Sequence, residues 1–219
     1  ASNNTGVGFY ALLSNTTGAN NVAIGKSAML DNTTGGLNTA VGVQALSNNT
    51  TASNCTAVGV NALLTNTTGT NNVAMGAGAL DANTTANGNI AVGASSLGAN
   101  TTGASNIGIG HEALGANTTG GENTAIGYAA LDANTTASNN TAVGYLSLSA
   151  NTTGASNTAV GYNSLLANTT GASNTAVGYL SQSGGGGSNN TAIGRSALTG
   201  NTTSNNTAVG FNAGGGNSS

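Results

Sequence analysis

The residues that could carry chemistry in this chain recur at a fixed spacing. Asn-Thr-Thr begins at Asn15, Asn32, Asn49, Asn66, Asn83, Asn100, Asn117, Asn134, Asn151, Asn168 and Asn201, and each triplet is an Asn-x-Thr acceptor for N-glycosylation with no Pro to block it. On an exposed turn these eleven Asn are candidate sites for covalent glycans. Direct O-linkage to the Thr pair, Thr16 with Thr17 and their equivalents, is a second acceptor chemistry. The alternative without sugar is that Asn and Thr close the turn and stack as hydrogen-bonded ladders. Tyr128, Tyr145, Tyr162 and Tyr179, one per repeat, form a candidate surface contact stripe, because aromatic rings in a row can stack on sugars; packing of each ring on the next is the competing reading.

Catalytic chemistry has far less to build on. His111 beside Glu112 is the sole imidazole next to a carboxylate, and a zinc site would need further ligands. Cys55 is the single cysteine and stands where other repeats carry Asn, which reads as a point substitution rather than a nucleophile. Gly108-Ile109-Gly110-His111-Glu112-Ala113 formally matches a dinucleotide-binding fingerprint, but it arises because one repeat has Gly for Ala. Calcium-binding β-roll repeats need an Asp in each turn, and these turns lack it. The expectation is therefore no enzyme, no catalytic residue, no metal and no cofactor other than covalent glycans.

Composition narrows the partners. Two basic residues, Lys26 and Arg195, stand against Asp31, Asp81, Glu112, Glu122 and Asp132, so no basic patch exists to neutralise a phosphate backbone and nucleic acid is not an expected partner. No run of about 18 apolar residues is present to span a bilayer, so no membrane insertion is expected. The chain contains 36 Gly and no Pro, which excludes collagen and leaves a patterned Asn/Thr/Gly-rich repeat.

That repeat is what must position the candidate residues. Asn-Thr-Ala-Val-Gly and its variants begin at Asn4 and recur every 17 residues to Asn174, with two further copies at Asn190 and Asn206 after 16-residue steps. The thirteen copies predict 1–219 as one β-solenoid domain, with a Gly-rich loop at 183–188 where Gly184 to Gly187 replace the triplet. Counting the anchor as offset 0, offset 3 is Val, Ile or Met in every copy and is expected to face a dry interior. Offset 1 is β-branched and offset 2 is Ala or Gly, the alternation of a short strand. Offset 8, Leu12 to Leu198, supplies a second apolar ladder beside Ala or Ser at offset 7, and predicts a second strand. A helix there is disfavoured, because the apolar stretch is shorter than two turns and Gly recurs in every copy. Offset 5, which runs through Lys26, His111, Tyr128 and Arg195, is too varied for a packed interior and is expected to face solvent. The fold class is thus all-β, a parallel β-solenoid of about 13 coils of 17 (twice 16) residues. Stacked about 4.8 Å apart, the coils would make a rod on the order of 60 Å long.

Repeats such as Asn157-Thr158-Ala159-Val160-Gly161 and Asn174-Thr175-Ala176-Val177-Gly178 resemble the head repeats of YadA-like trimeric autotransporter adhesins, and similar repeats occur in phage tail fibres and secreted bacterial fibre proteins. The resemblance implies a parallel β-roll and a trimer of chains packed side by side. This chain departs from those heads in its 17-residue coil and its inserted triplet, and a single-stack filament joined end to end fits the departures as well. The expected function is the structural subunit of an extracellular or cell-surface, glycan-coated filament or fibre, self-assembling laterally or end to end. The alternatives are an adhesin head or phage fibre shaft that binds a host matrix protein or receptor glycan, and an ice-binding solenoid.

Overall fold

Each Asn-Thr-Ala-Val-Gly run builds one strand of three residues, from β1 (Thr5–Val7) to β13 (Thr207–Val209). The computed structural model describes residues 1–215, and in it the strands follow one another in chain order in a single thirteen-stranded parallel sheet. Register is unbroken: Ile107, Gly108 and Ile109 of β7 (Ile107–Ile109) pair with Thr124, Ala125 and Ile126 of β8 (Thr124–Ile126), and the 16-residue steps keep the same partners at Thr175–Thr191 and Thr191–Thr207. The fold is the all-β parallel solenoid that the repeat predicts, one coil per repeat.

The strand faces the opposite way to the expectation. The small residue at offset 2 points inward, and Ala23, Ala40, Ala57 and Ala125 are fully buried. The β-branched or Met residue at offset 3 points outward: Ile24 is 40% exposed, Met75 45% and Ile109 38%. The coil is narrow, and its interior at this level is already occupied by the Leu of offset 8. Gly108 is the tighter case, since a Cβ added there would come 2.5 Å from Ser96 Oγ, the hydroxyl that donates to Gly108 O.

Among the described residues the predicted second strand is absent as well. Offset 8 is a corner, where the Leu and Met residues take φ between +50° and +56°, and Leu46, Leu63, Leu114 and most of their equivalents still bury their side chains completely. The left-handed backbone costs about 1–2 kcal/mol, and full burial of a Leu returns about 1.5–3 kcal/mol, so burial prevails. The amide is also satisfied there: Leu114 N–H donates to Ala130 O at 3.0 Å in the next coil. Two tight turns flank this corner, closed by Ala113 N–H to Gly110 O and Asn117 N–H to Leu114 O. The first has its third residue, Glu112 here, at positive φ.

The offset-4 Gly begins that turn with φ between +125° and +141°. A Cβ at Gly110 would drive into the carbonyl of Gly127 one coil on, so only Gly serves. Backbone hydrogen bonds between coils extend past the strands, for example Gly127 N–H to Ile109 O at 2.8 Å and Thr118 N–H to Thr135 O at 2.8 Å. Most of the coil outline, and not the strand alone, is therefore tied to its neighbours.

Candidate functional site

The Asn of each triplet lies inside the coil. Asn32, Asn49, Asn66, Asn83, Asn100, Asn117, Asn134, Asn151, Asn168 and Asn201 are fully buried, and Asn15 in the first coil is half-buried. Their amides form an axial ladder: Asn49 Nδ2 donates to Asn32 Oδ1 at 2.7 Å, Asn117 Nδ2 to Asn100 Oδ1 at 2.9 Å and Asn134 Nδ2 to Asn117 Oδ1 at 2.9 Å. The anchor Asn at offset 0 makes a second ladder, in which its Oδ1 accepts the backbone N–H of the next anchor, as Asn106 does from Asn123 at 3.0 Å.

In most coils one carbonyl joins the two ladders. Gly120 O accepts from Asn106 Nδ2 at 2.8 Å and from Asn117 Nδ2 at 2.9 Å, which uses both of its lone pairs. Cys55 breaks the anchor ladder mildly: its Sγ contacts Gly69 O at 3.3 Å, and burial pushes its thiol up, so the sulfur is held in the unreactive protonated form.

Correcting the exposed-turn expectation, the triplet Nδ2 groups point into a packed interior and are spent on structural hydrogen bonds. The Asn is constant because it holds the coil together. The triplet's first Thr is committed too, with Thr118 Oγ1 donating to Thr135 O at 3.0 Å and Thr33 Oγ1 to Thr50 O at 2.9 Å. The second Thr is exposed, from Thr17 and Thr34 through Thr119 and Thr136 to Thr170.

The tyrosine stripe sits outside, beside the offset-3 ladder. Tyr128, Tyr145, Tyr162 and Tyr179 are 45–48% exposed, and their rings stack at 5.3, 5.4 and 5.2 Å between centroids. His111 extends the stack at one end, 5.5 Å from Tyr128. At the other end the Arg195 guanidinium lies 5.5 Å from the Tyr179 ring and 5.4 Å from that of Phe211, within cation–π range. The ring faces are therefore occupied by one another, leaving edges and hydroxyls outward. Stacking of sugars on these faces, part of the sequence expectation, has no free face along the interior of the row.

The charged residues make one local feature. Gly98 and Gly115 stand at offset 9 in the two coils between those of Asp81 and Asp132, opening a shallow recess of about 390 Å³ lined also by Ser95, Ala99, Glu112, Ala116 and Asp132. Partial burial raises the Asp132 carboxyl above its ordinary range, and the nearby Glu112 charge pushes it the same way. Burial raises Asp81 likewise. His111 Nδ1 lies 3.5 Å from Glu112 Oε2, both side chains half-exposed. Among the described residues no group of three His, Cys, Asp or Glu is placed to hold a metal ion, and no helix is long and apolar enough to cross a membrane.

The site geometry defines a class, a regular parallel β-solenoid in which each repeat position forms its own lengthwise stripe. No family model, curated protein or solved structure compared with the chain matches it. The likeness to adhesin heads is one of repeat motif.

Proposed function

We propose that the chain is the structural subunit of an extracellular fibre, without catalytic role, and that it assembles by side-by-side packing of solenoids. The observation that carries this reading is the outward apolar ladder at offset 3. Ile24, Met75, Ile109, Ile126, Val177 and Ile193 are each 37–45% exposed on one sheet face, in register from coil to coil. Soluble monomers rarely expose a contiguous apolar patch of more than a few hundred Å². The whole face from offset 1 to offset 5, which adds Thr at most offset-1 positions and Lys26, His111 and Arg195 at offset 5 to the apolar ladder, covers on the order of 800 Å² of one copy, taking about 60 Å of stacked strands by about 13 Å of chain. That is the contribution each partner makes to a stable interface of standard size.

Charge opposes the contact little, since the chain has only two basic and five acidic residues in 219, and the two on this face, Lys26 and Arg195 at offset 5, stand near its opposite ends. The extracellular setting draws on the repeat's likeness to the heads of surface adhesins. A host-binding role for the tyrosine stripe has less in its favour, because its rings are stacked on one another.

The test is Lys replacement of Ile109, Ile126 and Val143, three outward residues of consecutive coils, followed by sedimentation and negative-stain imaging. The unmodified sequence is expected to form laterally paired or bundled rods and the triple variant single rods of unchanged circular dichroism. A native chain that stays a single rod at every concentration overturns the reading.

A further inference from the structure

The three residues of the Asn-Thr-Thr triplet occupy three unlike environments, and only one of them offers a free nucleophile. Asn117 is buried with Nδ2 donating to Asn100 Oδ1 and Gly120 O. Thr118 Oγ1 is held by Thr135 O at 3.0 Å. Thr119 is exposed, and its hydroxyl is not among the groups engaged in hydrogen bonds within the chain. The same division holds at Thr34, Thr102, Thr136 and Thr153; at the ends of the row Asn15 is half-buried and Thr169 is exposed beside Thr170.

The surroundings are equally selective. The neighbouring outward positions carry Ala99, Ala116 and Ala133 before the triplet and Ala104, Gly121 and Ser138 after it, so no bulky side chain overhangs the hydroxyl. Next along the coil lies a shallow, mostly polar recess of about 290 Å³, lined by Ala104, Ser105, Gly121, Glu122, Ser138 and Asn139. A first sugar has room to lie there. This face is distinct from the apolar ladder, so the inference does not rest on lateral assembly.

We propose that the second Thr of the triplet, one per coil from Thr17 to Thr170, is an O-glycosylation acceptor, and that the Asn of the same triplet is not a glycosylation site. In the transfer step the Thr oxygen attacks the anomeric carbon of a nucleotide-activated sugar held by a separate glycosyltransferase. The Oγ1–C1 bond forms as the bond from C1 to the phosphate oxygen breaks. The departing nucleoside diphosphate keeps the electron pair, the hydroxyl proton passes to a base on the transferase, and nothing is oxidised or reduced. One hydroxyl per strand spacing, about 4.8 Å, yields a continuous row of sugars. That row would hydrate a chain whose own charge is too low to do so.

The test is intact-mass measurement of the chain isolated from the cells that make it, against 20.6 kDa for the bare polypeptide. Peptide-N-glycosidase treatment, alkaline β-elimination and electron-transfer fragmentation of the released peptides follow. The expected result is a mass excess that resists the glycosidase, is lost on β-elimination, and maps to the second Thr. Thr119→Val, expressed in the same cells, is expected to remove sugar from its own coil and leave adjacent coils modified, while Thr119→Ser retains it. Thr118→Val is expected to keep the sugar at Thr119. A mass equal to the bare chain, sugar on the triplet Asn, or sugar confined to the first Thr overturns the proposal. Each of these outcomes is independent of whether rods bundle.

Discussion

Asn117 shows how one side chain can be essential without touching a ligand. Its Nδ2 donates to Asn100 Oδ1 and Gly120 O, and its Oδ1 accepts from Asn134 Nδ2. Asn117→Ala leaves a buried acceptor on one side and a buried donor on the other, each costing about 1–3 kcal/mol. The variant is expected to lose about 3 kcal/mol in chemical denaturation, whereas Thr119→Ala, outside the coil, is expected to change stability by less than about 0.5 kcal/mol. Equal losses at the two positions would contradict the ladder. The signal for this was in the repeat itself: a turn needs Asn, Asp, Ser or Gly interchangeably, yet offset 11 holds Asn in coil after coil. Such strictness belongs to an amide that must donate and accept at once, a pairing neither Asp nor Ser supplies in the same geometry. Of the two readings the triplet allows, the hydrogen-bonded ladder is the one the coil forms; the exposed-acceptor reading fails because a consensus for modification carries no information about which way the side chain points.

At the scale of the strand and its turns, spacing made the coil legible and alternation misled on its facing. Offsets 1 and 3 are the larger residues of the strand and were assigned inward, as they would be in a wide sheet sandwich. In a coil this narrow only Ala or Gly fits inward, and the core volume comes from Leu at a left-handed corner. The predicted second strand failed for the same reason, since an apolar ladder can be produced by stacked corners as readily as by strands. The offset-9 position of that corner turn carries a pH consequence. Asp132 has its carboxyl pKa raised by burial, with the Glu112 charge adding to it, and Asp81 is raised by burial. Between the unfolded value, about 3.9, and the raised folded value, the native chain binds more protons than the unfolded chain. Stability therefore falls as pH rises through that window and is fully present below it. The thermal midpoint is expected to decline from about pH 4 upward, and Asp132→Asn to weaken that decline and raise the midpoint at neutral pH. A midpoint that climbs with pH over the same range, or a variant less stable than its parent at pH 7, would show that the carboxylate is stabilised rather than strained by its site.

For the whole array, stability is set by the interfaces between successive coils, and one of these is built differently. The coil that starts at Asn174 has Gly184 to Gly187 in place of the triplet, and Gln182 stands where the other interior coils place Leu or Met. Gln182 is fully buried at φ +46°, with Nε2 3.5 Å from Asn174 Oδ1 and Oε1 unpartnered. Asn168 Oδ1, one coil earlier, is buried and unpartnered too, because no triplet Asn follows to donate to it. Two buried acceptors without donors and four consecutive Gly, each losing more backbone freedom on folding than any other residue, make this the weakest junction among the interior coils. Hydrogen exchange is expected to show fastest opening of interior amides between Gly178 and Asn190, with the coils from Asn21 to Asn157 holding protection as a separate block. Gln182→Leu removes one unpartnered acceptor and restores the apolar ladder at a corner where Leu already tolerates the same backbone. It gives up only the long contact to Asn174 Oδ1, which still accepts from Asn190 N–H at 3.0 Å. The substitution is expected to stabilise the chain by about 1–2 kcal/mol and to slow exchange on both sides of the junction. Uniform exchange across all interior coils, or a Leu variant that exchanges faster than its parent, would mean that the Gly run is packed as firmly as the triplet it replaces.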